Sequence, residues 1–197
     1  MAVKKGHQMA IADFSLATIT TNEETPRELG LKTSTQISID TEFEETDDIN
    51  NITKGELNGK KRGTKTVTGA TLTLTDNVFN PELLQILQGG TVTYDADGGF
   101  KKYTSPAVGE EYTPTPFTLN VYTAQYDTTG LIVSYLKFTY YNCTGDPVSF
   151  GAQDDTFAAP KYTIRSAPGE GQSHLVIEKT TVDELPVLGN ADWVNAA

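Results

Sequence analysis

Two runs of strict alternation bracket a stretch of ordered charge, and this constrains the chain more than anything else in it. Ser34–Glu44 places Thr35, Ile37, Ile39, Thr41 and Phe43 on one face and Ser34, Gln36, Ser38, Asp40, Glu42 and Glu44 on the other. A period of two is that of a strand with one buried face. Thr64–Asp76 does the same, with Ala70, Leu72 and Leu74 set against Thr71, Thr73 and Thr75. About twenty residues separate the two runs, where hairpin loops usually take 2–5. A connection of that length is either disordered or built to touch something else.

Charge in this connection, residues 45–63, is segregated by limb. The entering limb carries Glu45, Asp47 and Asp48 after Glu42 and Glu44, and the leaving limb carries Lys54, Lys60, Lys61, Arg62 and then Lys65, with Glu56 the exception. Two readings follow. In one, a solvated hairpin neutralises itself within one chain. In the other, the loop docks head to tail on a complementary surface of the next copy, a heterologous contact that yields rings or filaments.

The 197 residues suffice for one all-β domain with a full core. Charged residues are 21% and hydrophobic ones 37%, a globular balance. A net charge of −11 argues against gripping nucleic-acid phosphates, which needs a basic footprint, but not against letting nucleic acid pass. The single cysteine, Cys143, excludes an internal disulfide framework and reads as a small core or surface residue. The stretch Met9–Ala12 is too short for a secretion signal, and no apolar run reaches the eighteen residues of a membrane helix.

Strands are expected at Ile11–Thr20, Thr91–Tyr94, Phe100–Tyr103, Phe117–Tyr126, Leu131–Asn142, Pro147–Ala152, Lys161–Ser166 and His174–Thr181. The stretch around Pro26 and Gly30 reads as turns. The one convincing helix lies within Val78–Gly90: Asn80 suits the N-cap, Pro81 the first turn, Glu82 the positive end of the dipole, and Gly89 or Gly90 the stop. Its stripe of Leu83, Leu84, Ile86 and Leu87 must lie against a sheet, because so short a helix does not stand alone. Nothing splits the chain, so residues 1–197 are read as one domain with a C-terminal arm at 185–197 around Trp193.

Catalytic patterns are missing. His7 and His174 stand far apart, outside any metal-ligand spacing. No Gly-x-Ser-x-Gly elbow or phosphate-cradling glycine loop occurs. Gly169-Glu-Gly171 joins two strands and reads as a turn. Asp95-Ala-Asp-Gly-Gly99 lacks the later ligands of a calcium loop and reads as a hairpin turn. No enzyme, cofactor or metal is expected. Tyrosines such as Tyr122, Tyr135, Tyr140 and Tyr162 read as half-buried sheet residues, although a tyrosine-lined sugar-binding surface on a β-sandwich binding or adhesin-like module remains an alternative.

The long hairpin, the segment Gly63-Thr-Lys-Thr-Val-Thr-Gly69-Ala-Thr-Leu-Thr-Leu74 and the helix Asn80-Pro-Glu-Leu-Leu-Gln-Ile-Leu-Gln-Gly-Gly90 resemble the major tail (tail tube) proteins of tailed bacteriophages. The resemblance covers roughly residues 30–95, with the rest matching by strand order. It implies a β-sandwich or barrel core flanked by a helix, hexameric rings stacked into a hollow tube, and four strands per subunit fused into an inner barrel. It also implies a long loop that reaches the neighbouring ring. DNA passes through the lumen without specific binding. A tape-measure protein sets tube length, a tail terminator caps the tube, and the subunit assembles in the host cytoplasm into the virion tail, with no membrane involved.

On this reading Glu45, Asp47, Asp48, Ile49, Ile52, Lys54, Leu57, Lys60, Lys61 and Arg62 form the inter-ring contact, and Gln36, Ser38, Asp40 and Glu42 face the lumen. Twenty-four strands at ~4.8 Å spacing and ~40° tilt close a barrel about 48 Å across. Duplex DNA, about 20 Å wide, fits inside with water. An acidic wall repels phosphates over ~8 Å.

Overall fold

Among the described residues thirteen strands and one helix form, an all-β fold apart from a single short helix. The structure is a computed structural model and describes residues 13–151, 154–155, 159–182, 185–186 and 194–195. The strands are β1 (Phe14–Thr21), β2 (Arg27–Leu31), β3 (Ser34–Glu45), β4 (Ile49–Thr53), β5 (Glu56–Lys61), β6 (Lys65–Asp76), β7 (Thr91–Tyr94), β8 (Phe100–Thr104), β9 (Phe117–Tyr126), β10 (Ile132–Gly145), β11 (Lys161–Ser166), β12 (Val176–Thr180) and β13 (Val194–Asn195), with helix α1 (Pro81–Gln88).

Nine strands form one sheet in the order β13-β2-β1-β9-β10-β11-β6-β3, with β12 also on β10. The turning point is β10. Its first part pairs with β9 and β12, and its end, Cys143–Gly145, pairs with β11. Between the two parts the register slips after Tyr140, and Asn142 takes a positive φ of 48°. Such a bulge bends a strand and sharpens its twist. The sheet folds over at this bend, so that β1 touches β3 although five places separate them in the order.

Both halves feed one core. Ile19, Leu29, Leu119 and Val121 from one side meet Leu72, Leu74, Tyr162 and Ile164 from the other, and Cys143 lies among them. Burial pushes the Cys143 thiol up to about 12. Of the core and surface positions open to it from sequence, it takes the core. Tyr122, Tyr135, Tyr140 and Tyr162 are all buried.

The helix forms where its caps place it. Asn80 Oδ1 accepts the Leu83 N–H at 3.0 Å, and the Gly89 N–H reaches the Gln85 carbonyl at 2.9 Å, with Gly89 at φ 73°. Leu83, Ile86 and Leu87 enter the core. Gly145 lets the helix approach β10, since a Cβ there would lie 2.5 Å from Leu87 Cβ. The last carbonyls are taken up locally. Tyr103 donates to Gly89 O at 2.8 Å, the Tyr112 hydroxyl sits between the carbonyls of Leu87 and Gly145, and the Thr115 N–H meets Ile86 O.

Three sequence expectations need correction. Arg27–Leu31 is a strand, not a turn, because Leu29 and Leu31 are buried and the ladder to β1 pairs Ala17–Thr20 with Glu28–Leu31. Residues 146–151 form no strand: the Val148 N–H is spent on Gln88 Oε1 at 2.8 Å. The apolar side of β3 is largely uncovered; Ile37 is half-buried, but Ile39 is 39% and Phe43 52% exposed. Past Ile39 the strand runs out beyond the sandwich core. Residues 45–63 form a protruding hairpin, with β4 and β5 paired as a two-stranded arm. His7, the start of the first expected strand at Ile11, Ala152 and Trp193 lie outside the described residues.

Candidate assembly surfaces

The hairpin β3/β6 carries three surfaces: an open edge, a polar face and the arm. In the sheet order β3 is terminal and pairs only with β6, so one row of its backbone N–H and C=O groups has no ladder partner among the described residues. Two bulges pin its register. Thr35 is the extra residue where Ser34 faces Asp76 and Gln36 faces Thr75, and Thr68 is extra where Glu42 faces Gly69 and Phe43 faces Val67.

The polar face spans four strands. Gln36, Ser38, Asp40 and Glu42 lie opposite Thr75, Thr73, Thr71 and Gly69. Thr75, Thr73 and Thr71 in turn face Lys161, Thr163 and Arg165, and Thr144 completes the row beside Arg165. The strand face read from the sequence is thus brought together by the fold. The alternation of β3 did not reveal its neighbours, because the end of β10 and β11 arrive from about a hundred residues or more further on.

This face is not the acidic wall expected. Three carboxylates, Asp40, Glu42 and Asp146, meet two cations, Lys161 and Arg165, among many hydroxyls. The Arg165 guanidinium is held by Asp146, with Nε 3.0 Å from both carboxylate oxygens and a terminal nitrogen at 2.9 Å, and Glu42 lies 3.9 Å away. Asp146 and then Glu42 hold the guanidinium pKa above its ordinary value. Thr71 donates to Glu42. A paired arginine has already spent its fork of donors on carboxylates, so less of it is available to phosphate.

Beyond Phe43 the two limbs leave the body together. β4 and β5 pair through Ile49↔Lys61, Asn50↔Lys60 and Asn51↔Gly59, the same register in which Phe43 meets Val67 and Glu45 meets Lys65. The ladder is interrupted at 46–48 and 62–64 but not shifted. There the Thr46 N–H reaches Thr64 O at 3.0 Å, and the Gly63 N–H reaches Asp48 Oδ1 at 2.8 Å. Gly63 is required, since a Cβ would sit 1.7 Å from the Thr46 carbonyl oxygen. The tip is a two-residue turn, Lys54 at φ 52° and Gly55 at φ 85°, the left-handed pair that matches strand twist.

Every residue of β4 and β5 is exposed. Part of the segregated charge is satisfied within the chain. Lys60 Nζ lies 2.6 Å from Asp48 and Lys65 Nζ 3.2 Å from Glu45, and Lys65 also sits 4.7 Å above the Phe43 ring. Lys60, and then the Gly63 N–H, lower the Asp48 pKa. Lys54, Lys61 and Arg62 make no ion pair among the described residues. Ile49 is 63% exposed and opposes Lys61; Ile52 and Leu57, each 61% exposed, oppose one another near the tip. By alternation Ile49 and Ile52 point to opposite faces.

No helix of the described residues is long and apolar enough to cross a membrane. No family model and no curated protein matches the chain. Among solved structures it is similar to a chain of the anti-feeding prophage cap, described as a tube terminating cap, at 12% identity and TM-score 0.44 over 91% of this chain and 100% of that one. It is also similar to a chain of the six-fold symmetrised anti-feeding prophage baseplate, at 14% identity and TM-score 0.35 over the same shares.

Proposed function

We propose that this chain is a structural subunit that assembles into hexameric rings stacked as a phage-type tail tube. One observation carries the reading: a strand whose backbone edge is open among the described residues continues into a free-standing arm whose apolar side chains Ile49, Ile52 and Leu57 are about three-fifths exposed. An exposed edge is a pairing hazard that closure removes. Lateral pairing of β3 with a neighbouring subunit closes a ring. The four strands β10, β11, β6 and β3 then present their polar face inward, with Gln36, Ser38, Asp40 and Glu42 on the channel side. Six such sets give the 24-strand barrel whose diameter, about 48 Å, admits duplex DNA.

The arm, through Glu45, Asp47, Asp48, Ile49, Ile52, Lys54, Leu57, Lys60, Lys61 and Arg62, reaches the next ring. Such a subunit works with a tape-measure protein and a tail terminator, resides in the virion tail and performs no catalysis. DNA passes a wall rich in hydroxyls whose arginine is already engaged by carboxylates, so passage leaves no adhesive contact. Support comes from the edge and the arm, not from the two loosely similar structures. Negative-stain electron microscopy of the concentrated protein tests it: rings or tubes are the expected result. A monodisperse monomer at millimolar concentration overturns it and leaves a β-sandwich binding module.

A further inference from the structure

Beside the β3 edge the sandwich stays open. Phe14 of β1, Val121 and Thr123 of β9 and Phe138 of β10 face Ile37 and Ile39 of β3 across a groove of about 320 Å³, with no charged residue in its lining. Along it the Thr123 hydroxyl is buried and has no hydrogen-bond partner among the described residues. An unpaired buried hydroxyl is costly, and such groups are normally satisfied by a partner. The groove and the arm tip are therefore two unfinished surfaces of one chain. One offers apolar walls and an unused donor. The other offers the opposed pair Ile52 and Leu57 around a turn with carbonyl groups on show.

We infer that this groove is the seat for the arm tip of a second copy, with Ile52 and Leu57 filling it and a carbonyl of the turn accepting from Thr123. The inference rests on the tube reading and names the surface the arm engages. Length agrees with it. Fifteen residues separate Ile39 from Lys54; at ~3.3 Å each and a tilt of ~40° they advance about 38 Å along a barrel axis. A chain cannot fold its own tip back over that distance, but the next ring meets it there.

Cysteine pairing in the full chain tests this, with Cys143 replaced by Ala. Disulfides need Cα atoms within about 7 Å. The variant Ile39→Cys/Leu57→Cys, both at exposed positions, is oxidised after assembly and run under non-reducing conditions. A ladder of covalent multimers is expected. Mixing the two single variants gives dimers only, and either alone gives none. Tubes by microscopy without a ladder overturn the seat and leave the tube reading intact, with the groove covered by a lateral neighbour or by the chain's own end. Monomers with neither tubes nor ladder overturn both. The axial repeat is a second measure: about 40 Å fits, and a value far above 50 Å puts the tip out of reach.

Discussion

Replacing Ile52 and Leu57 by Ser separates assembly from folding. Each side chain keeps about three-fifths of its surface in water in the isolated chain. Complete burial of such a residue is worth about 1.5–3 kcal/mol, so the remaining fraction contributes about 1–1.5 kcal/mol on docking. The pair then supplies about 2.5 kcal/mol per arm, which is roughly a 60-fold change in an equilibrium constant. The exposed rim ion pairs add ~0–1 kcal/mol each and set register rather than strength. The critical concentration for polymerisation, measured by sedimentation of assembled material, should rise by about that factor for Ile52→Ser/Leu57→Ser. The melting temperature of the unassembled subunit should not move, because β4 and β5 are exposed throughout. An unchanged critical concentration refutes the reasoning, and a fall in subunit Tm shows that the tip packs on its own body.

Three further outcomes follow from the core and the face. Leu72→Ala, at a fully buried position between the sheet halves, should cost about 2–5 kcal/mol in urea unfolding. The double variant Asp40→Lys/Glu42→Lys should still assemble but slow DNA release, because it frees Arg165 from Glu42 and adds two cations to the channel side; unchanged release kinetics remove these residues from the lumen. Alkaline stability should fall. Burial pushes Cys143 and Tyr162 up to about 12, against ordinary values near 9 and 10. The unfolded chain releases these protons first, so the folded state binds more of them and stability decreases as pH rises from about 9 to about 12. Thermal melts at pH 8 and 10.5 check the sign.

How far the sequence reveals this molecule depends on whether the governing contact is local. The helix is legible because Asn80, Pro81 and Gly89 act on backbone groups within four residues. The face of β6 is legible because Ala70, Leu72 and Leu74 alternate and are in fact covered. The same pattern in β3 says which residues share a face, but cover depends on what lies opposite, and beyond Ile39 the strand leaves the core. Arg27–Leu31 hides behind Pro26 and Gly30, since its strand character comes from its ladder to β1. Val148 and Phe150 alternate, yet a glutamine on α1 claims the Val148 amide. The arm's own signal is Lys54-Gly55, a two-residue turn between β-forming limbs, and the charge around it obscures that signal. Asp146 and Arg165, nineteen residues apart, meet only through the β10–β11 register.

The exposed hairpin also carries features that restrain uncontrolled pairing. Its edge strand bears Asp40, Glu42, Glu44 and Glu45, charges of the kind that discourage chance strand addition. Its two bulges, at Thr35 and Thr68, interrupt the regular ladder and fix which backbone groups an incoming strand can meet. Threonines on the uncovered face of β6 supply β-propensity without apolar surface. A strand meant only to end a sheet would be short or covered. β3 instead runs for twelve residues and projects beyond the core. Repulsive charge, pinned register and a long open edge together leave room for one partner strand in one register, which is the condition for a ring that closes rather than a sheet that grows without limit.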